Sequence, residues 1–368
     1  MPRDAPPSEE ALARSLLRWY ARKRRDLPWR RTRDAYAIWV SETMLQQTRS
    51  KTVVPYYDRF MRELPTVHAL AEAPEERVLA LWSGLGYYRR ARMLRAAARR
   101  VVASHGGRLP EEVPLLRQLE GVGDYTAGAI ASIAFGRRAA LVDGNVARVL
   151  SRLYAIGDDP RSARGSERLW ELARRLVAAV DGNPGDWNQA LMELGATVCT
   201  PGVPVCSDCP VKTHCRALAT GAVADFPKRV TRAAQATVRR VAVVLASSSQ
   251  VLLARRRKEA LFGGLWEPPS AKGGLARLAD RLGIDAASLR RSGEVVHVLT
   301  HRRMHVEVAR GALPRRGHWA VPGSEYDAIE PVALGELGSE PQRRAYSTLT
   351  RKVLIVANVA AGGLRLKR

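Results

Sequence analysis

Several features that mark other classes of protein are scarce in this 368-residue sequence. Its first ten residues, MPRDAPPSEE, lack the apolar stretch of a secretory signal, and no run approaches the roughly 20 apolar residues that a membrane-spanning helix needs. Cysteine is rare, and all four cysteines lie within a window of 17 residues, which is poor spacing for stapling a large secreted protein. We therefore expect a soluble, cytoplasmic chain with no membrane partner.

Acidic residues are also scarce relative to basic ones. The chain has 36 Asp and Glu against 60 Lys and Arg, which gives a formal net charge of +24. Residues 1–215 carry 33 basic and 24 acidic side chains, and residues 216–368 carry 27 and 12, so both parts are basic. Such a charge favours a polyanionic partner through counterion release. Nucleic acid is the first candidate, although an Arg-rich coding bias with solvated arginines is the plainer alternative.

The periodicity of apolar residues changes along the chain near residue 216. Before it, apolar residues recur every three or four positions, which predicts helices at 11–23, 36–48, 75–86, 87–103, 125–136 and 165–180. After it, β-branched or alternating runs predict strands at 238–246, 251–257 and 297–311, with helical patterns at 273–283 and 341–360. We predict an all-helical domain over residues 1–216, a connector over 217–236 and a mixed α/β domain over 237–368.

The four cysteines, Cys199, Cys206, Cys209 and Cys215, have the spacing C-x6-C-x2-C-x5-C. Four thiolates in one compact loop are the ligand set of a [4Fe-4S] cluster. Tetrahedral zinc is the alternative, but zinc sites usually pair two short Cys hairpins across a longer gap. The spacing therefore favours the iron–sulfur cluster, with a structural role.

A glycine-rich turn, Gly121-Val122-Gly123, joins two helical segments. Glycines there allow a tight turn that exposes backbone N–H groups at a helix N-terminus, where they can hold a DNA phosphate. Asp124 is then expected to be the N-cap. A plain helix–turn–helix corner is the alternative reading, because G-x-G alone is a weak signal.

Six motifs in order carry a resemblance that covers nearly the whole chain: LPWR, VSETMLQQT, WSGLGYY, GVGDYTAGAIASIAFG, VDGNVARV and NQALMELGATVC. The sequence resembles the helix-hairpin-helix DNA glycosylases that carry an iron–sulfur cluster, among them endonuclease III, and the MutY-type adenine DNA glycosylases in particular. The resemblance implies a helix-hairpin-helix glycosylase domain with a cluster loop at 199–215, followed by a Nudix-like domain. It also implies base excision repair of adenine mispaired with 8-oxoguanine or guanine in double-stranded DNA.

Two positions depart from relatives in this superfamily. Tyr125 stands where the endonuclease III branch has a lysine nucleophile, so the amine needed for a Schiff base and strand cleavage is missing and a monofunctional glycosylase is implied. Glu120 stands where the hairpin usually has proline, and its carboxylate is expected to weaken phosphate binding slightly.

Cleavage of an N-glycosidic bond resembles glycoside hydrolysis, which needs a protonated leaving group and a stabilised oxocarbenium-like sugar. Glu42 lies in an apolar helical segment, where burial raises the pKa of a carboxyl group and keeps it protonated as a general acid. The resemblance implies that it protonates adenine at N7, that Asp143 stays ionised and stabilises the sugar cation, and that Asn145 and Tyr125 hold this arrangement. The plainer alternatives are a helix-surface carboxylate for Glu42 and a helix N-cap for Asp143.

An adenine inside the helical stack cannot reach these groups, so it must be flipped out. By resemblance, Trp29 and Arg30 line the adenine pocket with Glu193, while Gln47 and Tyr87 insert into the duplex. Plainer readings make Trp29 a core residue, Tyr87 a helix start and Glu193 a buried partner of an arginine.

The second domain of the resembling family reads 8-oxoguanine with a Phe-Ser-His loop, where this chain has Leu299, Thr300 and His301. Thr300 keeps the hydroxyl that can bond the oxidised base, but Leu299 lacks the aromatic ring. GGLWEPP at 263–269 resembles the start of a Nudix fold, yet the next helical segment lacks the clustered glutamates that bind Mg²⁺, so no pyrophosphatase activity is expected.

Two other functions remain open at this point. One is an endonuclease III-like glycosylase and lyase, which Tyr125 opposes. The other is a non-catalytic, cluster-bearing DNA-binding protein or electron carrier, which the intact Glu42 and Asp143 oppose. We expect a monomer associated with the nucleoid of a bacterium, in which the cluster loop sets Lys212 and Arg216 against DNA.

Overall fold

The computed structural model describes residues 8–228, 235–299, 301–314, 319, 321–337 and 344–359. The chain divides into two compact units. The first comprises the described residues of Met1–Met61, Thr66–His68 and Ala96–Arg232. The second comprises those of Arg62–Pro65, Ala69–Arg95 and Ala233–Arg368. The stretch from Ala69 to Arg95 thus belongs with the C-terminal unit, a grouping that its sequence did not suggest.

The described chain up to Thr220 is built from helices and loops. The helices are α1 Glu9–Lys23, α2 Ala35–Leu45, α3 Ser50–Glu63, α4 Val67–Glu72, α5 Glu75–Leu81, α6 Arg89–His105, α7 Val113–Leu116, α8 Asp124–Ile133, α9 Gly144–Leu153, α10 Ala163–Ala178, α11 Pro184–Thr197 and α12 Arg216–Ala219. Among the described residues, no helix is long and apolar enough to cross a membrane.

The first unit has a core formed mainly by α1, α8, α9, α10 and α11. Helix α9 contributes a strongly amphipathic face, with Val146, Val149, Leu150 and Leu153 buried against α11. Helix α2 differs because every residue from Tyr36 to Met44 is buried. A helix enclosed on all sides forces its one acidic residue, Glu42, out of contact with bulk water.

The second unit contains one sheet with mixed strand directions. Its strands are β1 Ala236–Ala246, β2 Gln250–Arg256, β3 Trp266–Glu267, β4 Ser270–Ala271, β5 Arg290–Val298, β6 Arg302–Ala312 and β7 Tyr326–Ala333. The order is β3-β2-β1-β6-β5, with β4 paired to β1 and β7 to β2. Strands β1 and β6 run parallel, and the other pairs are antiparallel.

Side chains alternate between the two faces of this sheet. Val244 of β1 packs in a cluster with residues of α14 (Thr348–Val356), while Val243 packs in another with residues of α13 (Leu275–Arg281). The sheet therefore carries a helix on each face.

Two departures from the predicted elements have physical reasons. The run 297–311 was predicted as one stretch of strand, but it forms the end of β5 and most of β6, and the Leu299 N–H donates to the Arg302 carbonyl between the two strands (2.8 Å). Helix α3 was not predicted, because Pro55 interrupts the pattern, yet Val53, Tyr57 and Phe60 bury one helical face. Pro55 lies inside the helix and removes one backbone hydrogen bond, a cost that the burial of this face outweighs.

Candidate active site

Seven of the predicted site residues line one cavity of the first unit, which has a volume of about 670 Å³. Its walls include side chains from α2, α8, α9 and α11 and from the loops that follow α1 and α2. The predicted residues are Trp29, Arg30, Glu42, Gln47, Tyr125, Asp143 and Asn145. Residues separated by more than 100 positions in the sequence therefore meet in one place.

Glu42 is only 3% exposed and accepts a hydrogen bond from the Tyr125 hydroxyl at Oε2 (2.6 Å). Burial raises the pKa of Glu42 to about 7, since the nearby Asp143 adds to the effect of desolvation while the Tyr125 hydrogen bond opposes it. The alternative reading of Glu42 as a helix-surface carboxylate is wrong. A carboxyl group with this pKa can give up or hold a proton near neutral pH.

Asp143 is the N-cap of α9, where Oδ1 accepts the Val146 N–H (2.7 Å). Its other oxygen accepts from Asn145 Nδ2 (2.9 Å). Burial raises the pKa of Asp143, but these hydrogen bonds favour the charged form and limit the rise. The N-cap alternative is therefore correct, and it leaves the residue facing the same cavity as Glu42.

Glu193 does not line the cavity but supports its wall. Its carboxylate is fully buried and accepts from the side chains of Arg25 (2.7 and 2.8 Å) and Arg30 (2.8 Å). Burial alone raises the pKa of this carboxyl, but the two guanidinium groups outweigh burial and lower the pKa of Glu193 to about 2. The plainer reading, a buried partner of an arginine, is confirmed.

Sequence reasoning missed several lining residues of the cavity, among them Arg25, Gln189 and Met192. Met192 Sδ lies 3.3 Å from the Tyr125 hydroxyl. Gln189, Met192 and Ala196 share one face of α11 at spacings of three and four. This helical spacing, combined with the prediction of Glu193 on the same helix, could have identified Gln189 and Met192 from the sequence.

Gln47 and Tyr87 share an unusual backbone conformation. Their φ angles are +57° and +50°, in the left-handed region that residues with a side chain seldom adopt. Tyr87 is 45% exposed and stacks with the guanidinium of Arg90 at 5.2 Å. Local strain of this kind concentrates at functional sites.

The glycine-rich turn precedes α8 with Gly121 at φ +80°, a conformation that suits glycine. Helix α8 begins at Asp124 with Gly123 as its N-cap, so the prediction that Asp124 caps the helix is wrong. The side chain of Asp124 instead pairs with Arg117 (2.8 Å). Val122 is buried and its N–H donates to Leu119 O (3.1 Å), so this amide does not serve the predicted phosphate contact. The first N–H groups of a helix such as α8 have no partner within the helix.

The carboxylate of Glu120 lies beside this turn and is 3.9 Å from Arg100. The side chains of both Arg100 and Glu120 are exposed. The guanidinium of Arg100 offsets part of the negative charge of Glu120.

The four cysteines form no disulfide bonds and line one small cavity beside α9 and α11. Burial raises the pKa of the Cys209 thiol to about 12, and the neighbouring cysteine sulfurs add to this effect. Arg152 Nη1 donates to Cys199 Sγ (3.4 Å). Within the described residues, no three His, Cys, Asp or Glu side chains are arranged as a metal-binding group.

Arg148 connects the cysteine loop with the cavity. Its guanidinium donates to Cys199 O (2.8 Å), to Gly195 O (2.7 Å) and to Asn145 Oδ1 (2.9 Å). Asn145 in turn bonds Asp143. Arg148 therefore holds the backbone of Cys199 and also orients Asn145, the residue that bonds Asp143.

Thr300 lies outside the described residues. On either side of it, Leu299 packs against the core beneath α14 and His301 is exposed. Leu299 and His301, the described residues of the predicted recognition loop, lie between the end of β5 and the start of β6.

Two family models match the chain. One is described as HhH-GPD superfamily base excision DNA repair protein and matches residues 40–175. The other is a NUDIX domain and matches residues 240–352. The first match falls in the helical part of the chain, and the second covers the part that forms the mixed sheet.

Curated relatives match across most of the chain. The adenine DNA glycosylase of Homo sapiens is 43% identical over 93% of this chain and 73% of its own length. That of Schizosaccharomyces pombe is 31% identical over 95% of this chain and 92% of its own length. Among solved structures, a thermostable thymine-DNA glycosylase superposes with a TM-score of 0.53 at 32% identity, and covers 58% of this chain and 97% of its own.

Proposed function

Because this chain belongs to the adenine DNA glycosylase family, we propose that it removes adenine from double-stranded DNA during base excision repair. The observation that carries the proposal is one cavity in which Glu42, with a pKa of about 7, faces Asp143 and Tyr125. That combination supplies a proton donor and an anion, which hydrolysis of an N-glycosidic bond needs.

Glu42 is the general acid. Burial keeps a large fraction of it protonated near neutral pH, and the Tyr125 hydroxyl fixes its orientation. Transfer of its proton to N7 of adenine makes the base a neutral leaving group as the bond to C1′ of the sugar breaks.

Asp143 stabilises the oxocarbenium-like sugar that remains. Its carboxylate is held by the Val146 amide and the Asn145 side chain, so no reorganisation is needed when positive charge develops. Water then adds to C1′, and a proton passes to Glu42. Tyr125 offers no amine for a Schiff base, so the DNA strand stays intact and the enzyme is monofunctional.

The flipped adenine rests against Trp29 and Arg30, and the buried Glu193 holds Arg30 in place. Gln47 and Tyr87 enter the duplex at the flipped position, a role that suits their strained backbones. The Gly121–Gly123 turn holds a phosphate of the same strand through the amides at the start of α8.

We further propose that the base opposite adenine is 8-oxoguanine or guanine, read by Leu299, Thr300 and His301. The hydroxyl of Thr300 is the group able to bond the oxidised base. The test compares excision rates from A:8-oxoguanine and A:G duplexes. Thr300→Ala is expected to lower their ratio, while Thr300→Ser, which keeps the hydroxyl, preserves it; an unchanged ratio in Thr300→Ala would count against this loop.

The four cysteines supply the donor chemistry of a 4Fe-4S cluster, although their side chains do not stand in a metal-binding arrangement in the part of the chain that the structure describes. Four thiols converge on one cavity, and Arg152 offers a donor to a sulfur, as cluster ligands commonly receive. The cluster would be held by Cys199, Cys206, Cys209 and Cys215 and would fix the loop that carries Lys212 and Arg216 near DNA. We expect anaerobically purified protein to contain iron and inorganic sulfide. If it contained zinc instead, the cluster assignment would be wrong, but the glycosylase assignment would be unaffected.

The central experiment is single-turnover excision from an A:8-oxoguanine duplex. Glu42→Gln is expected to abolish adenine release while duplex affinity survives, because the amide cannot donate the proton. Glu10→Gln is a matched control, since Glu10 is exposed on α1 and loses the same charge. Retained excision by Glu42→Gln refutes the assignment.

Two competing activities are separated by the same assay. Strand breaks that appear only after alkali are expected, whereas a lyase of the endonuclease III kind gives them before alkali. A G:T duplex serves as the second substrate, since one structural neighbour is a thymine-DNA glycosylase. If thymine were released as fast as adenine, the proposal that this cavity selects adenine would be wrong.

The predicted domain limits, 1–216, 217–236 and 237–368, and a monomeric state remain part of this proposal. Light scattering of the full chain with and without duplex tests the second point.

A further inference from the structure

Met192 brings a thioether to the wall of the active-site cavity. Its side chain is half-buried, because part of it packs against the core of the first unit and part of it lines the cavity. Met44, on the helix that carries Glu42, is 0% exposed. The cavity therefore gives a small solute a path to Met192 that it does not have to Met44.

The sulfur of Met192 contacts the hydroxyl that orients the proposed acid. Met192 Sδ lies 3.3 Å from the Tyr125 hydroxyl, and the same hydroxyl lies 2.6 Å from Glu42 Oε2. A hydroxyl has a single proton to donate, and a thioether sulfur is a weak acceptor, so the proton goes to Glu42 while the sulfur is reduced. The acceptor strength of the sulfur therefore decides whether Glu42 keeps this donor.

Oxidation of the sulfur changes that acceptor strength. A methionine sulfoxide is polar, and its oxygen is a much better acceptor than the thioether that it replaces. An oxygen bonded to a sulfur only 3.3 Å from the Tyr125 hydroxyl lies within hydrogen-bonding reach of that hydroxyl. It therefore competes with Glu42 for the proton of Tyr125.

We propose that Met192 is an oxidation site at which hydrogen peroxide inactivates base excision reversibly. A lone pair of Met192 Sδ attacks one peroxide oxygen, the O–O bond breaks as the S–O bond forms, and the other oxygen leaves as water with both protons. The sulfur loses two electrons and the peroxide gains them. The sulfoxide oxygen then takes the Tyr125 hydroxyl from Glu42, so the acid loses its orientation. A methionine sulfoxide reductase restores the thioether.

The inference rests on the proposed excision of adenine, so the modification and the activity are measured separately. Mass spectrometry of peptides from the full-length protein, after a limiting dose of hydrogen peroxide, reads the modification. The peptide that contains Met192 is expected to gain one oxygen atom before the peptide that contains Met44. If the Met192 peptide gains none, the inference is overturned whatever the excision activity. Absence of excision in the untreated protein would instead refute the proposed function.

Single-turnover excision is then compared before and after peroxide, with each variant referred to its own untreated sample. The wild type should slow on the order of tenfold, through lost orientation of Glu42, and methionine sulfoxide reductases A and B together should restore its rate. Met192→Leu, which keeps a similar volume without the sulfur, should retain its untreated rate after peroxide. Met61→Leu is the matched control, since Met61 is also half-buried but lies on α3 outside the cavity, and it should slow as the wild type does.

Equal slowing of the wild type and Met192→Leu would overturn the inference, because the damage would then lie elsewhere, as at the four cysteines. The same holds if the reductases remove the oxygen from Met192 without restoring excision.

The pH profile tests the route through Tyr125. The hydrogen bond from Tyr125 favours the charged form of Glu42, so its loss raises the pKa of that carboxyl. The residual excision of the oxidised wild type should therefore fall at a higher pH than that of the untreated protein. Peroxide should leave the fall of Tyr125→Phe in place, because that variant has no hydroxyl to lose. An unmoved fall in the oxidised wild type would show that the sulfoxide does not reach Tyr125 and would overturn the inference.

Discussion

The Tyr125 hydroxyl and the burial of Glu42 act in opposite directions on one pKa. Burial and Asp143 disfavour the carboxylate, whereas the hydroxyl donates to it and favours it. The balance leaves the pKa of Glu42 at about 7, which suits an acid that works near neutral pH.

The pH profile of kcat/KM should therefore have two limbs. Excision is expected to fall as the pH rises through about 7, because Glu42 loses its proton, and to fall at low pH as Asp143 gains one. Single-turnover excision with enzyme below its saturating concentration, at a series of pH values, measures both limbs. A rate that keeps rising above pH 8 would contradict the role of Glu42 as an acid.

Tyr125→Phe should move the alkaline limb to higher pH. Without the hydroxyl, the charged form of Glu42 loses a hydrogen-bond donor and its pKa rises, while the rate at pH 7 falls on the order of tenfold through lost orientation. Tyr56→Phe, which removes a hydroxyl outside this cavity, is the control. An alkaline limb at the same or a lower pH would show that the hydroxyl does not contact the acid.

Glu193→Gln should destabilise the protein. Removal of this charge leaves the guanidinium of Arg30, whose side chain is 8% exposed, without its buried partner, at a cost of about 3–5 kcal/mol in the free energy of unfolding. Urea denaturation measures the change. Asp26→Asn, which breaks the exposed pair with Arg31, should leave the midpoint almost unchanged. Equal effects of the two substitutions would contradict this account.

The same carboxylate predicts a loss of stability in acid. Its folded-state pKa is about 2, below the ordinary value of 4.5, so its contribution is fully present above pH 4.5 and is lost as the pH falls toward 2. The difference in unfolding free energy between wild type and Glu193→Gln should shrink over that interval.

At the residue scale, sequence reasoning found the chemistry but not every neighbour. The resemblance assigned roles to Glu42 and Asp143, although their local patterns left the alternatives open. The buried state of Glu42 follows from contacts around α2 that no local pattern contains. Arg25 meets Glu193 across 168 positions of sequence, and no periodicity connects the two.

Helices α9 and α11 are in close contact at Gly195. A Cβ at this glycine would lie 2.6 Å from Asn145 Cβ and 3.0 Å from its carbonyl oxygen, so the helices must separate to admit it. Asn145 bonds Asp143, and Arg148 bonds both Gly195 O and Asn145. A methyl group at this contact therefore disturbs the catalytic carboxylate indirectly.

Gly195→Ala should lower the melting temperature and slow excision on the order of a hundredfold, because small misplacements at an active site are costly. Thermal unfolding and single-turnover excision measure the two effects. Gly157→Ala is the control, since a Cβ there meets nothing within 4 Å. A variant with normal excision would mean that the contact can relax without moving Asn145.

At the element scale, long periodic segments were predicted well, and interrupted ones were not. Helices α1, α6 and α10 carry strong amphipathic patterns and lie within a few residues of the prediction. Strand β7 was missed because its burial alternates weakly over Tyr326–Ala333, and it is placed by pairing with β2. Pairing partners of this kind are not encoded locally.

The net charge of +24 belongs to the whole chain, and both parts contribute to it. Duplex affinity should fall steeply with salt, by about 10³–10⁵ between 50 and 200 mM for six to ten phosphate contacts.

Lys212→Gln should flatten the slope of log affinity against log salt by about 0.9 if its loop contacts a phosphate. Lys23→Gln, at the exposed end of α1, is the control. A common slope for all three proteins would exclude Lys212 from the interface.

The order of two domains was predictable from the whole sequence, because six motifs and a change of periodicity were both visible. Comparison confirms the fold class, with an HhH-GPD model over residues 40–175 followed by a NUDIX model over 240–352. The place of Ala69–Arg95 in the second unit was not predictable, because its helical pattern resembles that of its flanking segments.

That placement has a consequence for how the protein is made. Ser83 exchanges hydrogen bonds with the backbone of Tyr346, 263 positions later, and Tyr88 donates to the same carbonyl. At a synthesis rate of about 5–20 residues per second, Ser83 leaves the ribosome tens of seconds before this partner exists. Val78–Leu81, which precede Ser83, are buried in the finished unit. The bonds of Ser83 and Tyr88 to Tyr346 can form only late in synthesis, so this stretch reaches its final contacts after most of the chain has been made.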